Sequence, residues 1–388
     1  MFKAELLQIY LYLENVILKT IHFFLYSQRP EDFRPKHICI YRIGNIGDIL
    51  CTIPALWAIR RKYPEARLTL LSSAGSKGGV SARDVLGEIG CLDAIELYDR
   101  EDISRDKIGA FKKRIEALDF DYFIQIPALG SSFKVQVRNM LFFRAMGFKL
   151  ADGFFVSISS KWQRARAQLQ IMRPKEEERC LRGLPFQAGE EYELDYGLSD
   201  EDREIVAGRL QEEYGNELPP IMAISFVSKI PLHAWLDERW AMLAQKWLAE
   251  TGGSVALIGG KQQYRQAEEI IAKIKTDVPE QVKNFCGTFT IKQSMAFLEK
   301  VSVLATVDTG TAHMATYSRI PCVVVQPGSE YPNGWWPLGE DKRVIRYDQP
   351  CSPCLRQECL YGAPAKCMSS ITLEEVWQNV WELSQKGA

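Results

Sequence analysis

Short continuous apolar runs alternate along this chain with stretches whose apolar residues recur at helical spacing. Residues 37–41, 67–71, 94–98 and 121–126 read as strands, and the intervening segments, such as 108–118, read as helices. Apolar runs of this kind are fully buried strands, and their alternation with helices is the pattern of a parallel sheet covered on both faces. Ser199 and the acidic residues after it predict a helix start, with the helix running to about Tyr214. Residues 215–220, with Gly215, Pro219 and Pro220, then read as a linker, and the alternation restarts. Strands are expected at 221–226, 255–258, 301–307 and 321–326, and helices at 236–250, 263–274 and 311–319. The expected fold class is α/β, with two doubly wound domains, 31–215 and 216–388, and a cleft between them.

The first 30 residues stand apart. Glu5, Gln8, Tyr12, Asn15, Lys19 and His22 form a polar stripe at helical spacing on a segment otherwise rich in Leu, Ile and Phe. Charges at 3, 5, 14 and 19 interrupt it too often for a membrane span, and no small-residue cleavage site marks a signal peptide. One amphipathic helix is expected. A membrane interface, an oligomer contact and an extra core helix all suit its pattern.

At 388 residues with 46% hydrophobic and 25% charged residues, the composition is that of an ordinary globular protein of two domains. The net charge of −1 by itself says nothing about partners, and no nucleic-acid partner is expected. Its distribution is uneven: residues 133–182 hold eleven Lys or Arg against four acids, an excess of +7. That segment suits an anionic substrate or an anionic membrane face, and equally a solvated surface balanced by the acidic stretch 190–213. Six of the ten cysteines are scattered, several in apolar runs, which suggests reduced thiols in a cytoplasmic protein.

Two turns carry candidate chemistry. Gly44-Asn45-Ile46-Gly47-Asp48 links the 37–41 strand to an apolar segment, 49–63, with basic residues in its last turns. The glycines permit a sharp turn, and Asp48 falls at the helix start, where the helix dipole favours an ionised carboxylate. An anionic base at the carboxyl end of a parallel strand is a plausible catalytic position. The second turn, Asp308-Thr309-Gly310-Thr311-Ala312-His313, joins the 301–307 strand to the following helix. Backbone amides there, with the Thr309 and Thr311 hydroxyls, form a ready diphosphate site; a plain N-cap by Asp308 or Thr309 is the competing reading.

Read together, 43–50, Pro54 to Leu56 and 60–64 resemble the opening of glycosyltransferase family 9, which includes ADP-heptose:lipopolysaccharide heptosyltransferases. The run 308–315, Pro321, 326–328 and 287–291 resemble its donor-site turn and neighbouring segments. The resemblance spans roughly 37–380. It implies a GT-B architecture, two Rossmann-like domains facing across a cleft. The N-terminal domain would take the acceptor and the C-terminal domain a nucleotide-sugar donor, ADP-heptose by analogy. The implied reaction is an inverting transfer with no cofactor required, Asp48 acting as general base and Gly44, Asn45 and Gly47 shaping its loop. Asp308, Thr309, Gly310, Thr311 and His313 would bind the donor. The acceptor would be an anionic lipopolysaccharide-core saccharide or another lipid-linked one, met at the cytoplasmic face of the inner membrane.

One departure from the family pattern concerns a lysine two residues before the tryptophan that opens the second domain's first helix. Here that tryptophan is Trp235, and His233 occupies the lysine's place. Lys229, further upstream, is the alternative phosphate contact, and its long stem and fixed charge suit that role. Trp335 and Trp336 are a further aromatic candidate for the cleft, with ordinary loop packing the favoured explanation. Cys351, Cys354, Cys359 and Cys367 crowd into one segment. Thiolates so spaced suit a structural zinc or iron, and the resemblance adds that some relatives modifying autotransporter proteins bind iron through such cysteines. A polypeptide acceptor and a non-catalytic sugar-nucleotide-binding protein are the rival readings. A nicotinamide dehydrogenase fits less well, because the three-glycine fingerprint is incomplete.

Overall fold

In the computed structural model all residues are described except 1, 31, 76–78, 129–130, 157–173, 190–191 and 386–388. The chain divides into two compact units, 1–197 and 198–388. Each is built on one parallel sheet.

The first unit has strands β1 (His37–Tyr41), β2 (Arg67–Ser73), β3 (Ala94–Tyr98), β4 (Tyr122–Gln125) and β5 (Ala151–Asp152), in the order β3-β2-β1-β4-β5. Every pairing is parallel, and β1 lies between β2 and β4 with all five residues buried. The second sheet has β6 (Ile221–Ser225), β7 (Ser254–Leu257), β8 (Val282–Asn284), β9 (Val303–Val307), β10 (Cys322–Gln326) and β11 (Lys342–Arg346). Its order, β11-β10-β9-β6-β7-β8, is that of a complete Rossmann sheet. Buried runs rich in valine such as 303–307 and 322–326 make its centre, because a strand covered on both faces is predominantly apolar.

Strand order reverses once in each sheet, between β1 and β4 and between β6 and β9. Strands on the two sides of that point send their connections to opposite faces, which opens a crevice at their carboxyl ends. The segment after β1 contains Asp48, and the segment after β9 begins at Asp308.

The apolar segment after Asp48 is two helices, Ile46–Leu50 and Ile53–Lys62, not the single helix expected over 49–63. Pro54 lies in the first turn of the second helix, where its missing N–H costs nothing, and it cannot continue the first. The domain divide also differs from the expected 215/216. Helix Asp200–Tyr214 belongs to the second unit: Val206 and Leu210 are buried, and Arg203 pairs with Glu299 at 3.0 Å beyond the Ile291–Leu298 helix. Gly215 only turns the chain from that helix into β6, with φ of +77°.

The basic segment is not one surface. Lys161, Arg164, Arg166 and Arg173 lie outside the described residues. Lys134, Arg138, Arg144 and Lys149 are exposed, whereas Arg179 is buried among acids.

Candidate active site

In the first unit the turn after β1 is closed by Asp48 itself, at the third position of its helix. Its Oδ2 accepts the Asn45 N–H at 2.9 Å, and its Oδ1 lies 3.3 Å from Arg42 Nη2. A helix of five residues contributes little dipole, so these two donors, more than the dipole expected from the sequence, hold the carboxylate. Gly44 is required by contact. A Cβ there would lie 2.1 Å from Asp48 Cβ and 2.9 Å from its Oδ2. Asp48 remains partly open to solvent, its side chain 19% exposed, and a carboxylate has acceptor sites beyond the two occupied.

Arg42 is fully buried and ties the crevice together. Its Nη1 donates to Pro127 O at 2.7 Å, beyond β4 on the other side of the crossover point, and its Nη2 to Glu176 Oε1 at 3.0 Å. Arg179 donates to Glu176 Oε2 at 2.7 Å and shares the Pro127 carbonyl at 2.5 Å. Burial alone would lower the Arg42 pKa; Cys180, Glu176 and Asp48 beside it raise it by more. The helix Glu176–Arg182 thus inserts a charge pair beneath the Asp48 turn. None of this was read from the sequence. The only local signal is the run of three acids before Arg179.

In the second unit the turn after β9 is similarly placed. Thr309 occupies the N-cap of helix Gly310–Tyr317 but makes no capping bond with its side chain. The plain cap therefore does not account for that hydroxyl. Thr311 Oγ1 accepts from Ser225 Oγ at 3.0 Å, joining the ends of β6 and β9 across the crossover. Asp308 Oδ2 accepts from Gln326 Nε2 at 3.2 Å, and Gln326 Oε1 accepts from Trp336 Nε1 at 2.8 Å. Gln326 is fully buried. Trp335 meets His313 edge to face, with ring centroids 5.8 Å apart. Both tryptophans therefore belong to the environment of the donor-like turn, which the reading as ordinary loop packing missed.

His233 is buried in the short turn Pro231–His233, its Nδ1 donating to Asp308 O at 3.2 Å. That bond puts the proton of a neutral ring on Nδ1 and leaves Nε2 as an acceptor. Nε2 has no hydrogen-bond partner among the described residues. Lys229 is exposed in the loop after β6. Trp235 is buried, its Nε1 donating to Ile371 O at 3.1 Å.

The cysteine segment packs under the same loop: Leu232 N–H donates to Gln357 O at 3.2 Å. Cys367 is nearly buried, and Cys354 and Cys359 are partly buried. Burial first, with Cys359 and Cys354 nearby, pushes the Cys367 thiol up. Cys351 is exposed. The donor chemistry suits zinc or iron, but no three of these four residues bring their sulfurs within common ligand distance. The segment is not a closed tetrahedral site as it stands.

The family model for glycosyltransferase family 9 (heptosyltransferase) matches residues 109–364. No curated protein matches the chain. Among solved structures, ADP-heptose lps heptosyltransferase II of E. coli is 18% identical, with a TM-score of 0.66, over 91% of this chain and 100% of that one. A family 9 glycosyl transferase from Veillonella parvula is 16% identical, with a TM-score of 0.68, over 90% and 98%. The iron-containing dodecameric glycosyltransferase TibC of enterotoxigenic E. coli is 13% identical, with a TM-score of 0.54, over 91% and 77%. With two parallel-sheet domains of the kind these GT-B enzymes share, and a family match over most of its length, this chain belongs to glycosyltransferase family 9 and is a heptosyltransferase-type glycosyltransferase.

Proposed function

We propose that the chain transfers heptose from ADP-heptose, with inversion, to a saccharide of the lipopolysaccharide core. The observation that carries this reading is the position of the two motif turns, each at the crossover point of its own sheet. E. coli WaaC, another fold relative with a TM-score of 0.57 and 16% identity, is known with ADP-2-deoxy-2-fluoro heptose, which supports the donor.

In this reading Asp48 accepts the proton of an acceptor hydroxyl as its oxygen attacks the anomeric carbon. One displacement inverts that centre, and the bond to the diphosphate breaks. The departing ADP gathers negative charge that the amides opening helix 310–317 and the Lys229 ammonium offset. His233, presenting Nε2 as an acceptor, suits a donor hydroxyl better than a phosphate, so Lys229 is assigned the phosphate. Arg42 keeps the Asp48 carboxyl oriented without touching substrate.

The test pairs Asp48→Asn with the parent protein, using ADP-heptose and a heptose-acceptor core saccharide. Turnover should fall by roughly 10² to 10⁴ while the thermal shift produced by ADP stays unchanged. Full turnover in the variant removes Asp48 as base. A shift by UDP or GDP in place of ADP would replace the donor and leave the mechanism. A polypeptide acceptor is the second reading, favoured by the grouping of Cys354, Cys359 and Cys367 and by the iron-containing TibC neighbour. Iron in the purified protein together with transfer to a polypeptide would establish it.

A further inference from the structure

Helix Phe2–Leu25 docks through Leu11, Asn15, Leu18, Ile21, His22 and Leu25 and leaves a second apolar face outward. Leu18 is fully buried, and Leu11, Ile21 and Leu25 pack on the same core as Phe143. Asn15 holds both backbone groups of Val156, donating to the carbonyl at 2.8 Å and accepting the N–H at 2.9 Å. His22 Nε2 lies 2.5 Å from Ala151 O. On the opposite side Leu6, Ile9, Leu13, Val16 and Phe23 are 40–59% exposed. Tyr12, Ile17 and Phe24 widen that face, Phe24 being 80% exposed. At ~100° per residue the eight cover an arc of about 140°, uncharged among the described side chains. A helix on a wetted surface carries the opposite pattern, and a continuous apolar patch calls for a cover.

The width of the arc decides what covers it. A second helix would use the narrow seam through Leu6, Ile9, Leu13, Val16 and Phe23 and leave Tyr12, Ile17 and Phe24 wet. A flat apolar phase covers all of them. Cations border the face: Lys19 is exposed on the same helix, and helix Phe133–Ala145, which packs along it, exposes Lys134, Arg138 and Arg144 beside the 53% exposed Leu141. No described helix is long and apolar enough to cross a membrane. We propose that this face lies in the interface of an anionic bilayer, apolar side chains at the acyl boundary and the bordering Lys and Arg against the head groups.

The full chain is sedimented with vesicles of phosphatidylcholine alone and of phosphatidylcholine mixed with phosphatidylglycerol. Binding should require the anionic lipid and weaken with salt. Leu13→Glu/Ile17→Glu should abolish it, and Lys134→Glu/Arg138→Glu should lower it by roughly 10-fold or more. All four positions are exposed, so far-ultraviolet circular dichroism should be unchanged. Two results overturn the proposal. One is no binding to either vesicle. The other is a dimer in sedimentation velocity that Leu13→Glu/Ile17→Glu dissociates while vesicle binding persists, since the face then belongs to a second copy. Transferase activity on a soluble acceptor is read separately and does not bear on either outcome.

Discussion

Arg42 shows what a single side chain does here. It is fully buried, its two Nη groups held by Pro127 O, Glu176 and Asp48, and its charge is balanced only while the two carboxylates stay in place. Arg42→Met keeps much of the volume and strands the Glu176 carboxylate against Arg179 alone. Breaking one side of a buried charge network costs about 3–5 kcal/mol, and urea unfolding of the variant should show that loss. A loss under about 1 kcal/mol would mean Arg179 suffices. Asp48 and Gly44 were legible in the sequence because a turn glycine and an acid stand together after an apolar strand. Arg42 was not, because its partner Glu176 is 134 positions away and nothing local marks the pair.

At the scale of elements, the strands read from the sequence were those buried on both faces, the half-buried edge strand β3 excepted. β5, β8 and β11 escaped, being short or half-polar edge or near-edge strands such as Lys342–Arg346. Alternation in a strand of this kind competes with loop composition and loses. The loop after β10 was misread for a related reason. Trp335 and Trp336 carry no spacing signal, yet Trp336 closes the hydrogen-bond chain through Gln326 to Asp308. Trp336→Phe keeps an aromatic ring but removes that donor and leaves a buried amide oxygen unpaired, a cost of about 1–3 kcal/mol. The thermal midpoint should drop, and the stabilisation by ADP should shrink with it if Asp308 is positioned by this chain. An unchanged response to ADP would separate the tryptophan from the donor turn.

Over the whole molecule, the cysteines divide by burial. Desolvation pushes the thiols of Cys91, Cys180, Cys286 and Cys322 up to about 12, and those of Cys39 and Cys51 well above their ordinary value. Since the thiolate is the nucleophile, these six should resist alkylation at neutral pH until the protein unfolds. Cys351, Cys354 and Cys359 should react in the native state, as read by mass spectrometry of iodoacetamide-treated protein. Zinc or iron added first should protect Cys354 and Cys359 if the loop closes on a metal. Rapid native labelling of Cys180 or Cys322 would contradict the buried helix and strand environments assigned to them.

The sequence by itself determined the α/β class, two parallel sheets, the two glycine-containing turns and the cysteine-rich segment, because each is a local pattern of apolar spacing or residue type. Tertiary structure alone decided where the units divide, since helix Asp200–Tyr214 follows its contacts with the 291–298 helix and not the glycine and prolines after it. It also decided which side of the first helix docks, the one carrying Leu18 and Asn15, through Asn15 and Val156, 141 positions apart. Partners that far apart in the chain meet only when the sheet between them has formed, and no local spacing records the meeting.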